Sequence, residues 1–259
     1  MDTVLPLLEA VSTDRHTCRV IAARRPARET ETSVRRSPGR PPVPPERIVA
    51  TALRIVDDEG ADALSMRTLA QGLDSGTATL YRHFANRAEL VAQVVDHIFG
   101  EVELDADELT AMSWQQACRT VAHTMFDVLS RHRNVAPLLV EQVPIGPNAM
   151  VLRERCIAFL LDGGFPPDLA ARSYATLARH VLGFAIQLKG PGATGGPDGA
   201  QLSSAFHGLD PALFPATVTV ADSLPVPLED EFAFGLDLIL AGLGQLREGS
   251  FPSSGPVSG

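Results

Sequence analysis

Residues 65–87 read SMRTLAQGLDSGTATLYRHFANR, a pattern that predicts two short helices joined by a tight turn. Ser65 suits the N-cap of a helix over 66–72, because its hydroxyl can accept from the free amides of the first turn. The Asp-Ser-Gly sequence at 74–76 interrupts the helical pattern, since these residue types favour turns. A second short helix is predicted over 77–84, which gives the pattern of a helix-turn-helix.

Longer amphipathic segments flank the two short helices. Apolar residues recur at helical spacing over 48–56, and Gly60 ends that run. Asn86 followed by Glu89 resembles a capping box at the start of a longer helix. Six apolar residues are predicted to form the inside of a three-helix unit with the helix over 48–56: Leu64, Leu69, Ala70, Leu73, Leu80 and Phe84.

The residues left outside on the second short helix suit contact with DNA. They are small, hydrogen-bonding or basic: Thr77, Ala78, Thr79, Tyr81, Arg82 and His83. Such a helix can enter a major groove with its N-terminal half while its flanks meet phosphates. Gly76 allows close approach of the backbone. Arg87 lies in the first turn of the next helix, where a cation opposes the helix dipole, so an external anion is expected to explain its position.

This segment resembles the DNA-binding domain of the TetR family of repressors. Residues 66–73 read MRTLAQGL and residues 80–90 read LYRHFANRAEL, with six residues between them, as in the family pattern. The resemblance covers about residues 48–100. By position it implies base or groove contacts from Thr77, Ala78 and Thr79. It implies phosphate contacts from Arg67, Tyr81, His83 and Arg87.

The turn at 74–76 departs from the family pattern, which usually has Gly-Val-Ser there. Asp74 can adopt the left-handed conformation that glycine often supplies, so we expect the turn to be retained. Ser75 replaces an apolar turn residue, so a looser turn is expected.

The rest of the chain predicts further helices and no strands, so the expected fold class is all-α. Ser113 with Gln116 resembles a capping box that opens the first of these helices. Other helices are predicted at about 134–143, 148–163, 167–189 and 228–246. A Gly/Pro loop followed by irregular structure is expected over 191–227.

Four parts are predicted along the chain. They are a disordered basic leader over 1–44, a helix-turn-helix domain over 45–100, a helical ligand-binding and dimerisation domain over 101–247, and a disordered tail over 248–259. The leader combines arginines with helix breakers, which favours disorder. Three interpretations of the leader are open: a basic arm that supports DNA binding, a plain tail, and an over-extended start of the reading frame.

The charge is distributed unevenly. The net charge is −9, and residues 101–259 carry eighteen acids against nine basic residues, whereas residues 65–87 carry three arginines and one acid. Because affinity for DNA depends on the charges near the phosphates, a small basic face on an acidic protein is sufficient.

Several other classes of protein are disfavoured. The three cysteines are widely spaced, which argues against a disulfide framework and a zinc site. We find no His-Glu-x-x-His, Cys-x-x-Cys or Gly-x-Ser-x-Gly motif, so we predict no enzyme, catalytic residue, metal site or cofactor. No apolar run approaches the roughly 18 to 20 residues of a membrane span, and the start is no convincing signal peptide. We therefore expect a soluble, cytoplasmic protein without a membrane partner.

The last predicted helix is similar to that of the TetR subgroup with a tetracycline-repressor-like C-terminal domain. Residues 232–243 read FAFGLDLILAGL. In that subgroup, the last helix and the long helix before it form a four-helix bundle with a second subunit. The resemblance thus implies a homodimer through about 167–189 and 228–246, with core packing as the alternative for the stripe of Phe232, Leu236, Ile239 and Leu243. Two half-sites about 34–36 Å apart favour the dimer.

The helices over 113–189 are expected to form the family's ligand pocket, which is mostly apolar with a few polar groups. The candidate ligand-binding residues are His97, His123, Phe126, Gln142, Arg153, Tyr174, His180 and Phe184. Further candidate lining residues are Trp114, Met150, Phe159, Leu177 and Gln187. A core or surface position is the alternative for each. His97 lies near the end of the helix that joins the two domains, where a ligand could shift the DNA-reading heads.

The predicted function is a ligand-responsive DNA-binding transcriptional regulator. We expect a homodimeric repressor that leaves double-stranded operator DNA when a small apolar or amphipathic effector binds. The alternative is a small-molecule-binding or scaffold protein with a vestigial DNA-binding head.

Overall fold

The computed structural model describes residues 43–188 and 199–249, and within them every regular element is a helix. The predicted all-α fold class is therefore confirmed. Nearly all of the predicted leader, together with Cys18, lies outside the described residues, as does most of the predicted tail.

Four helices form the N-terminal part, which carries the helix-turn-helix. They are α1 (Pro45–Glu59), α2 (Met66–Gly72), α3 (Thr77–Leu80) and α4 (Arg87–Gly100). The six residues predicted to line the inside of this unit are all buried against α1. Helix α3 ends at Leu80 rather than at Phe84, and the chain continues in a hydrogen-bonded turn in which Tyr81 N donates to Thr77 O at 3.0 Å.

The caps of α2 and α4 follow from local sequence. Ser65 Oγ accepts from Thr68 N at 3.1 Å, and Thr68 Oγ1 accepts from Ser65 N at 2.9 Å. Asn86 Oδ1 accepts from Glu89 N at 3.0 Å, as expected of an N-cap. The Glu89 carboxylate accepts from Ala85 N at 2.6 Å rather than from the N-cap amide.

Eight helices follow α4. They are α5 (Ala106–Ala111), α6 (Trp114–Arg131), α7 (Ala136–Glu141), α8 (Pro147–Asp162), α9 (Pro167–Ala185), α10 (Gly199–His207), α11 (Pro215–Thr219) and α12 (Leu228–Arg247). Helices α6, α8, α9 and α12 form the core of this part, with α9 packed against the other three. Helix α4 packs on α1 and on α8, so it is the element common to both parts.

Three of these helices were not expected from sequence. Asp105 caps α5 by accepting from the amides of Asp107 and Glu108, and acids in a first turn suit the helix dipole. Helices α10 and α11 occupy the region expected to be irregular. Neither buries a residue in the described part of the chain. Helix α11 has only five residues, and α10 has Leu202, Ala205 and Phe206 at helical spacing within a region rich in turn-forming residues.

Candidate functional site

The turn between α2 and α3 is closed by main-chain hydrogen bonds. Asp74 has φ +48°, the left-handed conformation expected for this residue type. Ser75 N donates to Ala70 O at 2.8 Å, so the expected loosening at this position is not seen. A Cβ on Gly76 would meet no atom within 4 Å, which leaves the start of α3 open to a close partner.

The outer face of α3 is a surface of small and hydrogen-bonding groups. Thr77, Ala78 and Tyr81 are exposed, whereas Thr79 and His83 are half-buried. Tyr81 is 55% exposed, which is a high exposed fraction for an aromatic side chain. Since Leu80 is fully buried beneath this face, the side chains around it are held at fixed positions.

Two exposed arginines border this face. They are Arg67 on α2 and Arg82 just after α3, whose Nη2 donates to Thr79 Oγ1 at 3.4 Å. Neither guanidinium takes part in an ion pair within residues 43–188 and 199–249. Arg82 joins the candidate contacts because it is exposed and hydrogen-bonds to Thr79 of α3.

Arg87 was expected to bind an external anion, but the structure shows internal partners for it. Its Nε donates to Leu64 O at 2.8 Å, and its Nη1 pairs with Glu141 Oε2 at 2.9 Å. These internal partners offset the unfavourable helix dipole, so no external anion is needed to explain the position. The partner carboxylate belongs to α7, which lies far away in sequence and was not foreseen.

A cavity of about 480 Å³ lies among α6, α7, α8 and α9, with Phe99 of α4 in its wall. Its lining is mostly apolar, as expected of a small-molecule site. Five of the sequence candidates lie in the wall: Gln142, Arg153, Phe159, Tyr174 and Leu177.

Arg153 is held at one side of the cavity by neutral groups. Its Nη2 donates to Pro144 O at 2.9 Å, and its Nε donates to Tyr174 Oη at 3.2 Å. Its Nη1 also lies 3.0 Å from Met150 Sδ, a weak acceptor. The guanidinium is thus oriented without a negative partner in the described chain.

Gln142 belongs to both the cavity wall and the start of α4. Its Nε2 donates to Ala88 O at 2.9 Å, and its neighbour Glu141 pairs with Arg87. The segment after α7 therefore connects the cavity to the helix that directly follows the helix-turn-helix.

Four of the ligand candidates lie in a different place from the one expected. His123, Phe126, His180 and Phe184 surround Phe232 of α12, with ring centroids 4.2–5.6 Å from it. His180 Nε2 lies 3.0 Å from Phe232 O, so this histidine is hydrogen-bonded within the core. None of the four belongs to the cavity wall, because α12 inserts Phe232 between α6 and α9.

The other candidates also lie outside the wall. His97 is exposed and 3.6 Å from Glu101, on the opposite side of α4 from its buried face. Trp114 packs edge-on against Phe165 at 4.7 Å. Met150 and Gln187 are exposed at the surface. Position along the chain alone was therefore a poor guide to the cavity.

Two cysteines missed as lining residues face the cavity. Burial raises the pKa of Cys118 to about 11 and that of Cys156 to about 12. Both thiols remain protonated at neutral pH and act as small apolar groups, which agrees with the lack of paired spacing.

Two further polar contacts connect α4 to its surroundings. Asp96 is buried, and its Oδ1 accepts from Ala149 N at 3.0 Å at the start of α8. His132, at the end of α6, has Nδ1 2.9 Å from Asp57 Oδ2 and Nε2 3.1 Å from Glu101 Oε2. The sequence contains one signal for the contact between Asp96 and Ala149, which is an acidic residue within the apolar face of α4.

Within the described residues, no group of three or more His, Cys, Asp or Glu side chains is arranged to hold a metal ion. In the same part of the chain, no helix has the length and apolar character required to cross a membrane.

Two family models match this chain. Residues 48–94 match "Bacterial regulatory proteins, tetR family", and residues 108–247 match "Tetracyclin repressor-like, C-terminal domain". The first match contains the helix-turn-helix, and the second contains α12 and every lining residue of the cavity except Phe99.

Relatives and solved structures agree with these matches. Apo ActR from Streptomyces coelicolor has 34% sequence identity and a TM-score of 0.72, covering 81% of this chain and 99% of that protein. The same protein has been solved in complex with actinorhodin. The HTH-type transcriptional repressor DrrR1 of Streptomyces coeruleorubidus is 28% identical over 80% of this chain and 81% of its own. BioQ of Mycobacterium smegmatis, solved with its double-stranded DNA operator, has 25% identity and a TM-score of 0.55, covering 78% of this chain and 98% of BioQ.

Proposed function

This chain belongs to the TetR family of transcriptional regulators, and on that premise we propose that it is a homodimeric repressor released from operator DNA by a small molecule. Residues 45–100 act as the DNA-binding part, and residues 101–247 bind the effector and the second subunit. The cavity has a binding role in this proposal and no catalytic step. Since the protein acts on DNA, we expect it to work in the bacterial cytoplasm.

The exposed face of α3 is the observation that carries the proposal. We assign base contacts in the major groove to Thr77, Ala78 and Thr79, because a hydroxyl can hydrogen-bond to a base edge and a methyl can contact thymine. We assign phosphate contacts to Tyr81, His83 and Arg67, and we add Arg82 to this set. Arg87 is left out because Glu141 and two carbonyl groups occupy it.

The relatives supply independent support. BioQ binds a double-stranded operator, DrrR1 is a transcriptional repressor, and ActR binds actinorhodin. ActR and BioQ share the helical arrangement of this chain, and DrrR1 is 28% identical over 80% of it. The same combination of DNA head and ligand cavity is therefore proposed here.

The surface of α9 and α12 supports a dimer. Of the predicted stripe, Phe232, Leu236 and Leu243 are buried within the subunit, and Ile239 is partly buried against the same core. A second apolar set remains exposed: Phe234 at 66% and Leu238 at 58% on α12, and Ile186 at 50% directly after the end of α9. Large exposed apolar residues on neighbouring helices mark an interaction surface, and the two-fold symmetry of an operator requires a second copy.

The contacts of α4 suggest how an effector acts on the head. Gln142 lies in the cavity wall and donates to Ala88 O in the first turn of α4. Asp96 in the middle of α4 holds the start of α8, another wall of the cavity. A ligand that displaces either wall thus changes the position of α4, and with it the spacing of the two heads.

The test is a gel-shift assay with the DNA upstream of the protein's own gene, at several salt concentrations. We expect specific retention that weakens steeply with salt, because binding releases counterions from phosphates. The double variant Thr77→Ala/Tyr81→Ala removes one candidate base contact and one candidate phosphate contact. It is expected to weaken specific binding about tenfold or more, given ~1–3 kcal/mol for a lost base contact.

Thr219→Ala is a matched control, because Thr219 is an exposed threonine outside the helix-turn-helix. It should bind DNA like the natural protein. If neither the natural protein nor the control retains any DNA, the repressor proposal is wrong and a ligand-binding protein with a vestigial head takes its place.

A further inference from the structure

The charges in the cavity wall have one sign. The charged residues of the wall are two arginines, Arg153 of α8 and Arg179 of α9, and no carboxylate contributes to it. Arg153 is partly buried, whereas Arg179 is exposed at the rim. Neither forms an ion pair with any carboxylate in the described part of the chain. An apolar cavity with cations and no anions is electrostatically complementary to a negatively charged guest.

The hydrogen bonds of Arg153 leave suitable donors unused. A guanidinium has five N–H groups. Pro144 O, Tyr174 Oη and Met150 Sδ take one each, from Nη2, Nε and Nη1. One N–H therefore remains on each terminal nitrogen, which is the pair that a carboxylate can bridge in a bidentate contact. The Tyr174 hydroxyl accepts from Arg153, so its own proton is available to the same guest.

The neutral partners also fix the direction of the group. Pro144 O lies on the segment after α7, and Tyr174 lies on α9 with its ring 5.8 Å from the Arg153 Cζ. A guanidinium held from two sides loses little further side-chain freedom when a ligand binds. A carboxylate of the protein in the place of these neutral partners would have neutralised the charge of Arg153. No carboxylate of the described residues lines the cavity.

We propose that the effector is an apolar molecule of drug size that carries one carboxylate, bound by Arg153 and the Tyr174 hydroxyl. This inference rests on the proposed function, because it specifies the ligand of the cavity that the repressor would sense. The mostly apolar lining takes the body of the molecule, and Arg153, the partly buried cation of the wall, takes its charge.

The test compares matched acids and amides for binding to the intact protein without DNA. The probes are 9-anthracenecarboxylic acid against 9-anthracenecarboxamide, and decanoic acid against decanamide, each measured by isothermal titration calorimetry. Each pair shares its apolar body and differs in charge. We expect at least one acid to bind about tenfold or more tightly than its amide, as a hydrogen-bonded charge pair allows. The ring pair and the chain pair distinguish an aromatic body from an aliphatic one.

Arg153→Gln is expected to abolish the preference for the acid while changing amide binding by less than about threefold. Arg155→Gln is the control, because Arg155 lies on the same helix and outside the cavity wall. It should keep the preference. Circular dichroism checks the fold of each variant, and the acid and amide comparison on the natural protein decides the question if Arg153→Gln does not fold.

The proposal is overturned if each amide binds as tightly as its acid, if no probe binds, or if Arg153→Gln keeps the preference. Failure of the repressor proposal gives a different result. In that case the acid still binds through Arg153, but the gel shift shows no specific DNA complex for the acid to release.

Discussion

Gly146 stands where a larger residue has no room. A Cβ at this position would overlap the Asp96 carboxylate, which is buried and accepts from Ala149 N at 3.0 Å and from Asn148 Nδ2 at 3.1 Å. Glycine therefore allows a carboxylate of α4 to cap the first turn of α8. This contact satisfies a buried charge with hydrogen bonds, without which burial would be costly.

Gly146→Ala is expected to lower the free energy of unfolding by about 1–3 kcal/mol, the usual cost of overpacking. Urea denaturation followed by circular dichroism measures the change. Gly76→Ala is the control, because a Cβ there meets nothing within 4 Å, and its effect should stay within about 1 kcal/mol. Equal stability of Gly146→Ala and the natural protein would show that Asp96 does not hold α8 in this way.

Single residues were predictable where their partners are local. Ser65, Asn86 and Ser113 cap helices through atoms three residues away, so the sequence contains the whole contact. Asp96 meets Ala149 across 53 residues, and Arg87 meets Glu141 across 54. Those contacts depend on how helices pack, which no local pattern specifies.

His132 connects three helices at the element scale. It ends α6 and lies between Asp57 of α1 and Glu101, which ends α4. Arg131 and His97 also face Glu101, at 3.8 and 3.6 Å. The hydrogen bond to Asp57 raises the pKa of His132, burial opposes this effect, and the hydrogen bond to Glu101 adds to the rise. The protonated ring thus binds the two carboxylates best.

A raised pKa in the folded state fixes the direction of the pH dependence. The stabilisation by His132 is fully present below the ordinary histidine pKa and is lost as the pH rises through the raised value. His132→Gln should therefore reduce the free energy of unfolding more at about pH 6 than at about pH 9. The difference should be roughly 1 kcal/mol, since solvent partly screens the pair.

Urea denaturation of both proteins at the two pH values measures this difference. His97→Gln is the control for the loss of an imidazole beside Glu101, because His97 Nε2 lies 3.6 Å from that carboxylate. A His132→Gln effect that is the same at both pH values, or larger at high pH, would contradict the proposed charge contact.

Helices were predictable where one face is buried and the periodicity is strong. Helices α1, α6 and α12 bury the apolar residues of their patterns, whereas α10 is shorter and buries none of its residues in the described chain. The cavity shows a second limit. His180 and Gln142 are both polar residues within apolar stretches of sequence. His180 contacts α12, whereas Gln142 lines the cavity, and this difference depends on which helix packs against each residue.

The exposed apolar residues of α9 and α12 make a prediction for the whole molecule. Phe234→Glu introduces a charge at the proposed dimer surface, where Phe234 is 66% exposed in the single subunit. We expect a folded monomer, because the side chain contributes little to the core of its own subunit. Sedimentation equilibrium measures the mass, and gel shift should show specific DNA binding weakened by about tenfold or more, as two half-sites are no longer linked.

Leu213→Glu is the matched control. Leu213 is 71% exposed and lies outside both helices, so this variant should remain a dimer that binds DNA. A Phe234→Glu protein that is still dimeric would place the interface elsewhere.

The contact between Gln142 and Ala88 O has a consequence for the ligand as well as for the operator. If the cavity and the DNA head are coupled through it, the coupling is reciprocal, so operator DNA must weaken effector binding by the same factor by which the effector weakens DNA binding. Molecules of the protein that are free in solution are then the better receptors. They buffer the effector, and a cell with many copies and few operators needs more of the compound before its gene is switched on.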